Sequence, residues 1–211
     1  MNHRLRDTLV SPAAVSRFLL VAAGGVALDL YTKWLAFHKL LIRLDRVDTA
    51  YLATSQSYDF IPGWLRFEVT VNQGAVFGIG QGQRLLFLLV SAAAVAFLIY
   101  LFLSSRPRQW YYQVVLGMLL AGVVGNVYDR MLFGYVRDMI HALPGWPNPL
   151  RGMFPNWQYV FPWIFNVADS LLCVGVTLML VYTMLMPSRD DQREGEKPVQ
   201  AQSGQPQSQQ V

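Results

Sequence analysis

The chain is poor in charge and nearly without cysteine. Of its 211 residues, 14% are charged and 54% hydrophobic. Soluble domains carry roughly 25% charged residues, so an ordinary soluble globule is a poor match. The single cysteine, Cys173, permits no internal disulfide and lies in an apolar run, where a small core side chain is the plain reading. Nucleophile and metal signatures are missing too, with no GxSxG elbow and no HExxH pair. The arginines are scattered at segment ends instead of forming a basic stripe interleaved with aromatics, which leaves nucleic-acid binding unsupported.

What the sequence does have is long apolar runs, at about 18–37, 85–103, 110–128 and 160–186. Each is close to the ~20 residues that carry a helix across the hydrocarbon layer. The first run is too long for a signal-peptide core and carries Asp29 and Lys33, so it reads as a retained span. The pattern predicts an integral membrane protein, all-α with four transmembrane helices, over residues 1–186, with outer loops at 38–84 and 129–159. Basic residues are dense near the span ends, including Arg106 and Arg108 in the short link 104–109, which predicts both termini in the cytoplasm.

The outer loops have structure of their own. In WLRFEVTVN, Leu65, Phe67, Val69 and Val71 alternate with Arg66, Glu68, Thr70 and Asn72, the mark of a half-buried strand. This predicts a small extracytoplasmic β-sheet paired within the first loop. The second loop holds Pro144, Pro147, Pro149, Pro155 and Pro162 with Trp146, Trp157 and Trp163. Proline forbids long regular structure there, and tryptophan favours the membrane interface. From 187 to 211 the chain is polar and glutamine-rich and reads as a disordered cytoplasmic tail.

Alternating span directions bring the polar residues into one layer. Asp29 and Lys33, at i and i+4, predict an ion pair tying the first helix to its neighbours. Asp129 and Arg130 read as a salt-bridged helix end, with Asn126 on the same face. Asn166 precedes Asp169 by three residues, as Asn126 precedes Asp129, so each amide is placed to orient the carboxylate after it. Asn72 reads either as a turn residue of NQG or as a site residue, and His141 as a solvated loop histidine.

Asp138 and Asp169 differ from the rest in having no basic residue one helical turn away. An intramembrane acid without a local partner marks a functional site. Two carboxylates in one site share a proton: the ionised member accepts a proton from water while the protonated one donates to a carbonyl oxygen. Two rivals stand beside this reading. One is a small transporter or channel using the acids as a proton or cation relay, and the other is a non-enzymatic scaffold.

At these residues the sequence resembles the lipoprotein signal peptidases (signal peptidase II), bacterial aspartic endopeptidases of the inner membrane. The matching blocks are DLYTKWLA at 29–36, VNQGAVFGIG at 71–80, GVVGNVYDRMLFGYVRDMI at 122–140 and FNVADS at 165–170. The resemblance implies removal of the signal peptide from a diacylglyceryl-modified prolipoprotein, with cleavage before the lipidated cysteine. It implies Asp138 and Asp169 as the catalytic pair, with Asp29, Lys33, Asn72, Asn126, Asp129, Arg130 and Asn166 in support. It also implies a β-cradle around Asn72, contact with membrane lipids, and no metal or cofactor. Departures from the family pattern at Gln73, Val76, Ala121 and Met139 spare every charged position, and the segment between Asp138 and Asp169 is longer than usual. Which aspartate acts as base is left open.

Overall fold

The computed structural model describes residues 11–40, 57–74, 82–155 and 157–185. Four helices, α1 (Pro12–Leu40), α2 (Arg84–Leu103), α3 (Trp110–Leu132) and α4 (Val167–Leu185), are each long and apolar enough to cross a membrane. α1 starts at a proline, whose missing N–H costs nothing at the first helical position. Large apolar side chains such as Leu20, Leu85, Leu89, Phe97 and Leu180 point outward, as a lipid-facing surface requires.

α3 is the most buried of the four and packs against the other three. Small residues make this contact close. A Cβ on Gly122 would stand 2.6 Å from the carbonyl oxygen of Ala168, so α3 and α4 touch backbone to backbone there. One end of the bundle is an apolar cluster of Phe18, Leu98, Phe102, Val115, Leu116 and Leu119, with the Phe18 and Phe102 rings stacked at 4.1 Å. The buried charges lie at the other end.

At that charged end sits a four-stranded antiparallel sheet in the order β1 (Tyr58–Ile61), β2 (Leu65–Asn72), β3 (Val136–Ala142), β4 (Ile164–Phe165). The alternating segment is indeed a strand, β2. Its partners, however, are not confined to the first loop: β1 comes from that loop, but β3 comes from the second, and β4, from the start of the fourth apolar run, pairs with β3. Thr70 stands opposite Asp138, and Asn72 opposite Val136, so Asp138 is on a strand.

Three other boundaries differ from the sequence expectation. α1 runs from Pro12 to Leu40 and α3 continues to Leu132, both longer than the apolar runs. α4 begins at Val167 and not near 160, because Pro162 cannot continue a ladder, Ile164 and Phe165 pair with β3, and Asn166 caps the helix. Residues 143–155 and 157–163 fold back as an irregular hairpin, with Leu143 in the left-handed region (φ 56°) at its entry. The tail expected at 187–211 and positions 75–80 of the VNQGAVFGIG block lie outside the described residues.

Candidate active site

The site is built outward from Lys33. Its Nζ lies 2.7 Å from Asp29 Oδ2 and 3.2 Å from Asp129 Oδ2, with all three side chains fully buried. The same ammonium donates to Asn126 Oδ1 at 3.1 Å. Asp29 Oδ1 in turn accepts the Ala168 N–H at 2.9 Å, one of the donors that the first turn of α4 leaves free. The expected ion pair is therefore present, and it ties α1 to both α3 and α4.

Asp129 is salt-bridged, but not to Arg130. Its second partner is Arg137, which donates from its side chain at 2.8 and 3.2 Å and from its backbone N–H at 3.0 Å. Adjacent strand residues point to opposite faces, so Arg137 turns away from Asp138 and toward α3. Arg130 instead donates to Gly74 O at 2.8 Å and lies over the Phe87 ring.

The two Asn-x-x-Asp pairs exchange partners across the helices. Asn126 Nδ2 donates to Asp169 Oδ1 at 2.8 Å instead of holding its own neighbour Asp129. Asn166 Nδ2 donates to Asp138 Oδ1 at 2.6 Å and to Asn126 Oδ1 at 3.2 Å. Asn166 and Asp169 also form a reciprocal cap at the start of α4. The Asp169 N–H donates to Asn166 Oδ1 at 2.9 Å, and the Asn166 N–H donates to Asp169 Oδ2 at 3.2 Å. Asp169 thus sits in the first turn of its helix.

The Lys33 charge settles how Asn126 is turned. Because the ammonium can only donate, it claims the amide oxygen and leaves Nδ2 aimed at Asp169. Asn72 serves in both of the ways its sequence context allows. Its Oδ1 accepts the Gly74 N–H at 2.9 Å in a local turn, and its side chain also hydrogen-bonds Asp138. Burial, and then the neighbouring Asp169 charge, push the Asp138 carboxyl up to about 7, opposed by the Asn166 and Asn72 hydrogen bonds and the Lys33 charge.

Beside this cluster lies a cavity of about 540 Å³. Phe87, Val90 and Ala94 of α2 form one wall, while Leu172 and Cys173 of α4 and Phe161, Trp163 and Phe165 form others. Its polar patch is Asn72, Asn126, Arg130 and Asp169. Asp138 is 1% exposed and stands behind that patch, outside the lining.

Two residues escaped the sequence reading. Arg137 could have been found from the strand period of VRD, which places it opposite Asp138. His141 is no solvated loop residue. It is buried on β3, with Nδ1 3.4 Å from Glu68 Oε2 and its ring edge-on to Tyr159 at 5.2 Å. Among the described residues no group of three or more metal-binding side chains occurs.

Fold and site together define an integral membrane protein with paired carboxylates at one end of its helices, next to an apolar cavity. A family model described as Signal peptidase (SPase) II matches residues 21–185, and the chain belongs to that family of proteases. Curated relatives named lipoprotein signal peptidase include those of Rhodopirellula baltica, at 35% identity over 78% of this chain and 69% of the relative, and Geobacillus thermodenitrificans, at 34% over 78% and 88%. That of Lactobacillus gasseri is 30% identical over 74% of this chain and 95% of the relative. A bacterial membrane enzyme solved by the in meso method at 2.3 Å resolution superposes with a TM-score of 0.65 at 28% identity, covering 88% of this chain and 95% of that one. The apolar helices and the bacterial relatives place the chain in a bacterial membrane.

Proposed function

We propose that the chain removes signal peptides from diacylglyceryl-modified prolipoproteins, cutting before the lipidated cysteine, with Asp138 and Asp169 as an aspartic dyad. One observation carries this reading: both carboxylates accept from the same residue, Asn166, with Asp169 at the edge of an apolar cavity and Asp138 just behind it. Two carboxylates so joined divide the labour of peptide hydrolysis.

Asp138 holds its proton up to about neutral pH, since burial and its neighbour raise its carboxyl to about 7. Asp169 faces the cavity and accepts from Asn126 and the Asn166 backbone, so its carboxylate is oriented as the base. A water against Asp169 loses a proton and attacks the scissile carbonyl, while Asp138 donates to the carbonyl oxygen. As the C–N bond breaks, the proton held by Asp169 passes to the leaving amine, and the former carbonyl oxygen returns its proton to Asp138. Asn72, Asn126 and Asn166 orient the pair, and Lys33 orients Asn126.

The acyl chains fit the wall formed by Phe87, Val90, Ala94 and Leu172, and the bilayer itself holds the substrate at the right depth. The extended peptide pairs with the sheet by strand addition. Both termini lie in the cytoplasm and the site faces outward, a reading supported by Arg106 and Arg108 in the link opposite the sheet. Depleting the protein should cause lipid-modified, unprocessed precursor to accumulate. With purified protein, mass spectrometry of the released peptide should end it at the residue before the cysteine. Equal cleavage of precursors with and without the lipid would refute the substrate assignment.

A further inference from the structure

Residues 143–155 and 157–163 take no part in the chemistry above, yet they are rich in large apolar side chains. The hairpin is closed by backbone bonds from Asn148 N to Gln158 O at 3.1 Å and from Val160 N to Trp146 O at 3.0 Å. Its base is fastened to the β1–β2 turn, where Leu143 N donates to Trp64 O at 2.8 Å and the Trp64 and Trp146 rings meet edge-on at 5.0 Å. At the tip, Asn148 Oδ1 accepts the Leu150 N–H at 2.9 Å and fixes the turn. On this fixed frame Leu150 is 56% exposed and Met153 73% exposed, with Phe154 and Trp157 also presented outward. Such a display of large apolar groups is costly in water.

Three observations point to what covers it. First, a continuous series of ring contacts leads from Phe154 through Trp157, Trp163 and Phe161 to Phe165, and the last three line the cavity beside Asp169. The hairpin is thus continuous with the lipid-facing wall of the spanning helices. Second, it leaves the chain four residues before α4 begins, at the depth where a spanning helix meets the headgroups. Third, no carboxylate occurs between Asp138 and Asp169, while Arg151 is exposed near the tip, a balance suited to anionic headgroups.

We infer that this hairpin is an interfacial anchor that inserts Leu150, Met153 and Phe154 into the outer boundary of the bilayer, so that lipid covers the apolar surface leading to the cavity. Trp146 and Trp157 would then sit at headgroup level, where amphipathic rings are favoured. Anchored in this way, the hairpin holds the bilayer against the cavity mouth.

The test uses the full chain with Cys173→Ala, carrying an environment-sensitive fluorophore at Met153→Cys and, separately, at Leu150→Cys. Each is reconstituted into phosphatidylethanolamine–phosphatidylglycerol vesicles. The expected result is a blue shift relative to detergent, loss of emission to nitroxides placed shallow in the acyl chains, and protection from aqueous iodide. Arg151→Gln should weaken the nitroxide quenching more in phosphatidylglycerol-containing vesicles than in phosphatidylcholine alone. Full iodide quenching at both positions, with none from lipid nitroxides, would overturn the inference. So would protection that appears only when precursor is added, since that outcome makes the hairpin a peptide-binding surface. The readout needs no peptidase activity, so it stands or falls apart from the dyad.

Discussion

Lys33 carries its charge into a place with no exposed surface, where it meets two carboxylates and an amide oxygen. Removing one partner of a buried ion pair leaves the other uncompensated, typically at about 3–5 kcal/mol. Lys33→Met should therefore lower unfolding stability in detergent by about that amount, and unfolding equal to that of the parent chain would show the cluster to be misdescribed. Asp138 gives a second handle. Its carboxyl is raised from 3.8 to about 7, so within that window the folded chain binds more protons than the unfolded one. Its contribution to stability falls as pH rises through the window, by about 1.4 kcal/mol per pH unit, and is level above it. Asp138→Asn lacks that slope, so its stability relative to the parent should grow from about pH 4 to about pH 7. Parallel pH profiles of chemical denaturation would contradict the assignment.

The elements differ in how openly the chain announces them. β2 was legible because its apolar and polar residues alternate along the strand. β3 was not, because VRDMIHA buries Asp138 and His141 and so breaks the pattern that marks a half-buried strand. The start of α4 was hidden by apolar residues that continue upstream of it. Pro162 and the Asn166 cap mark the boundary, and composition does not register either. The close packing of α3 was hidden as well, since a glycine in a helical run carries no sign of what it faces. A Cβ on Gly125 would run into the Asp29 carboxylate and come within 3.2 Å of Ala168 Cβ, whereas one on Gly24 meets nothing within 4 Å. Gly125→Ala should thus cost about 1–3 kcal/mol by overpacking and should reduce turnover, since it displaces Asp29, which accepts the Ala168 N–H in the first turn of α4. Gly24→Ala should leave both nearly unchanged. Thermal unfolding and turnover of the two variants, side by side, check this.

At the scale of the molecule, four separate stretches meet at one end of the bundle: Asp29 and Lys33 on α1, Asn126 and Asp129 on α3, Asp138 on β3, and Asn166 with Asp169 at the head of α4. The convergence was readable from alternating span directions and helical spacing. The partner exchange was not. Spacing tells which residues share a helix face, but not which neighbouring helix that face meets, and so Asn126 was paired with Asp129 when it serves Asp169. Asn166 joins the two carboxylates, and the proposed chemistry depends on that junction. Turnover of a purified, lipidated precursor by Asp138→Asn and by Asp169→Asn, each confirmed as folded, tests it most directly. Each variant should lose about 10²–10⁴-fold in rate, the range for removal of a general acid or base; near-normal cleavage by either one would contradict the dyad.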